Sequence, residues 1–200
     1  MIPKPSKAYI DSLIVIGFKL YPKSTFKFDK TFTSIFGKNG VGKTTLLDAI
    51  QVGIIANQQY TKFNVTTHKD DRTLADYMYS TLGYIIFNIG GMTKQYAFGV
   101  RLYKQPDGKV EIKPFAAENT HLIIEDFFEG NLLLDDFRNI KLKLLNRSPS
   151  STLFPFDTIS EYHNYLFEKG ILGLNISSRI SDFSLLYRSI STGILHHSSR

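Results

Sequence analysis

Residues 31–50 read TFTSIFGKNGVGKTTLLDAI, and Gly37, Gly42, Lys43 and Thr44 within them meet the pattern G-x-x-x-x-G-K-[ST]. A phosphate cradle needs successive backbone N–H groups turned toward one anion. That demands unusual dihedrals and close backbone approach, which glycine permits. Residues 37–45 (Gly37, Lys38, Asn39, Gly40, Val41, Gly42, Lys43, Thr44 and Thr45) are therefore the candidate nucleotide-binding set. Lys43 is expected to reach the β- and γ-phosphates, and the Thr44 hydroxyl to ligate Mg²⁺. A chance match in a chain of this length arises about one or two times in a hundred at average residue frequencies. The context lowers that figure. TFTSIF at 31–36 alternates like a strand, and Leu46, Leu47, Ile50, Ile54 and Ile55 recur at helical spacing after Gly42. A helix starting near Lys43 adds its positive N-terminal end to the cradle.

Outward from this loop the pattern is α/β. Residues 10–20, IDSLIVIGFKL, are apolar and β-branched and predict a strand, with Gly17 marking a bend or a close backbone approach. STFKFD at 24–29 alternates, with Phe26 and Phe28 on one face. Residues 60–74 are polar and turn-rich. Residues 79–117 predict a three-stranded meander, turning at Gly90-Gly91 and at Pro106-Asp107-Gly108. Residues 121–146 mix short apolar runs with acid pairs, and RSPSS at 147–151 marks a boundary. Two helices are expected beyond it. SEYHNYLFEKG ends at the C-capping Gly170, and a second helix starts at Ser181. The division is thus residues 1–146, a lobe built around the loop, and residues 147–200, a largely helical segment.

Composition narrows the partners. The 200 residues carry a net charge of +6, 42% hydrophobic residues and no cysteine, so disulfides and cysteine-ligated zinc are excluded. His196 and His197 are adjacent and point in different directions on any regular element, which argues against a metal pair. The N-terminus lacks the apolar core of a signal peptide, and no run approaches the ~18 apolar residues of a membrane span. A cytoplasmic protein is expected. The positive charge is compatible with a polyanion such as nucleic acid, without specifying one.

The nucleotide is read by what is missing. A guanine-reading N/T-K-x-D motif is absent: THKD at 67–70 has the wrong spacing and TKFN at 61–64 lacks the aspartate. ATP is therefore favoured. Hydrolysis also needs a carboxylate at the end of an apolar strand, and another to orient water. Glu125 and Asp126 in LIIEDFF, and Asp135 and Asp136 in LLLDDF, follow apolar runs of only three residues, as surface acids beside buried positions would. There is no LSGG-type signature, so the chain reads as one half of an ATPase.

IGFKLYPKSTFKFDKTFTSIFGKNGVGKTTLLDAI, residues 16–50, resembles the N-terminus of SMC-type ATPases, the chromosome-organising relatives of ABC transporters. FGVRLYKQPDGKVEIKPFAA (98–117) and the segment from Thr158 to Ser199 are similar to the MukB family of bacterial chromosome-partition proteins. MukB-like condensins and plasmid-defence ATPases share these features. The resemblance implies an ABC/SMC-type P-loop head in its N-terminal lobe, with a mixed β-sheet around the P-loop helix. A coiled coil would follow residues 147–200, and a C-terminal lobe would supply the signature and the Mg²⁺ carboxylates. It implies ATP and Mg²⁺ as cofactors and ATP-driven engagement with the second head of a homodimer. It also implies a kleisin (MukF-like) subunit, a MukE-like subunit, double-stranded DNA, and a place on the bacterial nucleoid. The fragment alone would be inactive. Where the family carries a Mg²⁺-contacting glutamine, this chain offers Glu168. Arg72 is the nearest candidate for the head-engagement arginine, with a solvated loop arginine as the plainer reading. Two other readings stay open: a self-contained P-loop kinase or DNA-repair ATPase using Glu125 or Asp135, and a scaffold with a vestigial loop.

Overall fold

A computed structural model describes residues 8–38, 40–61, 63 and 73–184. Its frame is one six-stranded sheet in the order β2-β1-β3-β4-β5-β8. The strands are β1 (Tyr9–Phe18), β2 (Tyr21–Lys27), β3 (Leu82–Gly90), β4 (Tyr96–Lys104), β5 (Val110–Glu118) and β8 (Thr152–Pro155). β6 (Phe128–Glu129) and β7 (Leu132–Leu133) form a small separate hairpin. The helices are α1 (Lys43–Ile55), α2 (Phe137–Arg147) and α3 (Ile159–Glu168).

The pleat sorts the core into two layers. Leu13, Val15, Ile85, Phe87, Phe98 and Val100 point to the face covered by α1 and α3. Their neighbours Ile14, Ile16, Tyr84, Ile86, Phe115 and Ala117 point to the face covered by α2. Successive side chains of a strand alternate faces, so a strand covered on both sides must be apolar at nearly every position. That explains the unbroken run LIVI in β1 and YIIF in β3. Gly17 has φ 70°, and a Cβ there would lie 2.5 Å from the Leu82 carbonyl oxygen, which accounts for the glycine as the close approach expected of it.

The meander at 79–117 is present as β3, β4 and β5, and the helix after the glycine run is present as α1. α3 ends just before Gly170, at φ 70°, as expected. Helical backbone then resumes at Ile180, one residue before the anticipated start at Ser181.

Three expectations need correction. Residues 31–36 form no strand, although their alternation suits one. Asp29 Oδ1 accepts hydrogen bonds from the Thr31 N–H, the Thr31 hydroxyl and the Phe32 N–H, and Thr33 Oγ1 accepts from the Asp29 N–H. These local bonds replace a ladder for which no neighbouring strand is at hand. The sheet is not mixed: every strand pair described is antiparallel. β1–β2 and β3–β4–β5 are joined by short turns, whereas a parallel pair needs a crossover of a dozen residues or more. Nor is the segment after residue 147 simply helical, because β8 pairs Thr152–Pro155 with Phe115–Glu118 of β5.

Candidate functional site

The glycine loop enters α1 without a side-chain cap. Gly42 holds the N-cap position at φ 102°, ψ 5°, and Gly40 has φ 86°. Only glycine takes such angles cheaply. A Cβ on Gly42 would also fall 2.4 Å from the Tyr21 hydroxyl oxygen. That hydroxyl donates to the Gly42 carbonyl at 2.9 Å, so β2 fixes the height of the loop from below. The Gly42 carbonyl also accepts the first helical bond, from the Leu46 N–H. No acidic residue lies in the first turn of α1 to neutralise its positive end.

Lys43 is the side chain that crosses the loop. Its Nζ donates to the carbonyls of Gly37 at 2.6 Å and Lys38 at 2.7 Å. This holds a cation at the centre of the turn. Thr44 is exposed and Thr45 is buried. A cavity of about 310 Å³ is lined by Gly40, Gly42, Lys43, Thr44 and Thr45, and also by Lys19 and Leu20. Lys19, at the end of β1, was not singled out by the motif. It has φ 45°, its N–H donates to the Tyr77 carbonyl at 2.6 Å, and its ammonium lies 4.3 Å from the centre of the Tyr77 ring. A cation at the end of an apolar strand that leads back to a glycine loop is the signal that could have found it.

Beneath the first turn is Asp48, 4% exposed. Burial pushes its carboxyl up to about 6, against a hydrogen bond from Tyr77 and the charge of Lys19, both of which favour the ionised form. Oδ2 has no hydrogen-bond partner. Asp48 sits one turn along α1 from Thr44, a titratable group that the motif does not contain.

The other sequence candidates do not gather here. Glu168 is exposed at the C-terminal end of α3. Near it, Tyr165 and Lys169 bond Glu118, whose strand end pairs with Tyr96, beside the Tyr9–Gly90 end of the sheet. The glycine loop adjoins the opposite end, where β1 finishes at Phe18 and Lys19 follows. A ten-residue strand spans about 33 Å. Asp126 is committed to structure: its carboxylate pairs with Arg147 at 2.7 and 2.9 Å and accepts from the Ile123 N–H. Asp136 caps α2 by accepting from the Arg138 N–H. Both lie with α2 on the sheet face opposite α1, and among the described residues no three His, Asp or Glu side chains cluster as a metal site. Asn39 and Arg72 lie outside the described residues.

A family model described as MukB N-terminal matches residues 6–200. On this match the chain belongs to the MukB N-terminal family, as a MukB-like N-terminal lobe.

Proposed function

We propose that this chain is the ATP-binding N-terminal half of an SMC-type head that partitions or condenses bacterial DNA. The MukB family supports the chromosome-partition part of this reading, since its members are SMC-type ATPases. One observation carries the ATP-binding part. The uncapped N-terminus of α1, the left-handed Gly42, the Lys43 ammonium and Lys19 all border one cavity. Backbone N–H groups, a helix N-terminus and two ammonium groups are what a triphosphate requires.

In this reading the N–H groups of residues 40–45 and Lys43 hold the phosphates. The ammonium exchanges the Gly37 and Lys38 carbonyls for phosphate oxygens. Thr44 would hold Mg²⁺, which would supply charge neutralisation at the phosphates. No second Mg²⁺ contact from this lobe is offered by Glu168, given its place on α3. The remaining carboxylates and the signature would come from a C-terminal lobe and from the second head of a homodimer. ATP then acts as a ligand that favours the engaged state over the open one. Residues 1–146 would form the lobe and residues 147–200 would lead toward the coiled coil, with β8 tying the two parts together. Double-stranded DNA, kleisin (MukF-like) and MukE-like subunits, and a cytoplasmic, nucleoid-associated location complete the proposal. Among the described residues no helix is long and apolar enough to cross a membrane.

The exposed stretch 31–36 supports the half-site reading. Phe32 is 77% and Phe36 88% exposed, with Ile35 beside them. Adjacent apolar side chains left this open mark a surface that another part of the protein covers. The self-contained kinase or repair ATPase is disfavoured because its carboxylates, Glu125 beside Ile14 and Asp135 beside Arg101, lie on the face of the sheet opposite α1. The test is titration of Mg-ATP into the full-length protein and its Lys43→Ala variant. The expected loss is at least about tenfold in affinity; equal affinity would remove the site.

A further inference from the structure

An α-helix leaves its last four carbonyls without intrahelical partners. In α1 all four are met. The Ala56 N–H donates to the Val52 carbonyl at 2.9 Å, with Ala56 in the left-handed region at φ 52°. The other three are met by side chains of α3, more than a hundred residues on. The Tyr162 hydroxyl donates to the Gly53 carbonyl at 2.8 Å. His163 Nε2 lies 3.1 Å from both the Ile54 and the Ile55 carbonyls. Carbonyls only accept, so Nε2 carries the proton. Both side chains are fully buried. The grip extends beyond α3, because the Ser184 hydroxyl donates to the Tyr60 carbonyl just past α1.

Helix α1 therefore has its N-terminus in the phosphate loop and its C-terminus in the hands of α3. It is 13 residues long, about 20 Å, and a helix of that length moves as a rigid rod. Beyond the left-handed Ala56 cap, no cation of its own holds the far end: there is no basic residue in its last turn. We infer that Tyr162 and His163 are positioning residues of the phosphate site, setting the axial position of the loop by holding the three terminal carbonyls of α1. This rests on the nucleotide reading above and adds a coupling to it. Any displacement of residues 159–184 is transmitted to the loop, and nucleotide at the loop must in turn stabilise α3, because coupling between two sites is reciprocal.

The test uses the full-length protein. Mg-ATP affinity is measured for the unmodified chain, Tyr162→Phe and Tyr165→Phe, and amide hydrogen exchange of residues 159–168 is followed with and without Mg-ATP. Both variants remove one hydroxyl hydrogen bond from the same helix, but Tyr165 bonds Glu118 and not α1. The expected results are slower exchange in residues 159–168 when Mg-ATP binds, about fivefold weaker binding for Tyr162→Phe, and a change under twofold for Tyr165→Phe. Equal losses in the two variants, or no loss in Tyr162→Phe, would make α3 a structural support only and overturn the inference. Binding of Mg-ATP to the unmodified protein without protection of residues 159–168 would overturn it even if neither variant folded. Absence of Mg-ATP binding to the unmodified protein would overturn the nucleotide reading as well.

Discussion

At the scale of single residues, Asp48 and Gly42 make the sharpest demands. A carboxyl whose folded-state pKa is about 6, above its ordinary 3.8, binds its proton more tightly folded than unfolded. Its contribution to stability is therefore full below pH ~4 and is lost as pH rises through about 6. The loss is on the order of 2 kcal/mol. Chemical denaturation from pH 4 to 7 is expected to show this fall in the unmodified protein and a flatter profile in Asp48→Asn. Parallel profiles would mean the carboxyl is not held in a dry site. Gly42→Ala meets both a positive φ and the Tyr21 hydroxyl. A cost of about 2 kcal/mol is expected from strain and overpacking together. Adding Tyr21→Ala should recover the steric part and leave the dihedral part, which a double-mutant cycle by urea unfolding would separate. The motif made Lys43 and Thr44 legible from their spacing. Tyr21 was not legible, because it comes from β2 and only folding brings it to the loop, while Lys19 left only the cue of a cation after an apolar strand.

At the scale of elements, α1 and α2 are locked to the sheet by different means. α1 carries Gly53 where a Cβ would lie 2.4 Å from Phe87 Cε2 and 2.9 Å from Ile85 Cγ2. Alanine is the better helix former by about 1 kcal/mol, but overpacking a dense core costs about 1–3 kcal/mol. Gly53→Ala is therefore expected to lower the melting temperature despite the propensity gain; a rise would show that the helix and sheet can separate without loss. α2 is held by a charge pair at its end. Arg147 bonds Asp126 twice and donates to the His121 carbonyl, and Asp126 is buried. Removing one member of such a pair leaves an uncompensated carboxylate, so Arg147→Ala is expected to cost about 3 kcal/mol. Arg147→Ala with Asp126→Asn should recover much of that in the same thermal scan. Apolar patterning made β1, β3, β4 and β5 legible to within about three residues, and it read β2 at 24–29, three residues past its start at Tyr21. It misled at 31–36, where the pattern of a strand is present but a neighbour to pair with is not.

At the scale of the whole molecule, the described sheet is covered on both faces, and an apolar stretch before the glycine loop is left open. The two layers of core are closed by α1 and α3 on one side and α2 on the other. Phe32, Ile35 and Phe36 remain outside both. Exposed apolar groups of this kind drive association. The 200-residue chain alone is expected to self-associate with rising concentration in light scattering, and Phe32→Ser with Phe36→Ser to suppress it. In the full-length protein the same pair of changes is expected to weaken Mg-ATP binding, because the covering element is then lost beside the loop. No change in either experiment would mean that the stretch is an ordinary surface loop.

The sequence by itself determined the mixture of strands and helices, the meander, the position of the glycine loop before α1 and the resemblance that the family match upholds. Each of these is written in local spacing: period two for strands, period three to four for helices, glycine where the backbone must turn the wrong way. The tertiary structure alone decided which face of the sheet each helix covers, that Glu168 lies toward the end of the sheet away from Thr44, and that Asp126 is structural. It also decided that the glycine loop and its helix are held at both ends, by Tyr21 below Gly42 and by Tyr162 and His163 on the terminal carbonyls. The reason is physical. These pairings join residues 21 to more than a hundred positions apart. No local pattern encodes such a contact, which forms only when burial of the shared core brings the partners together.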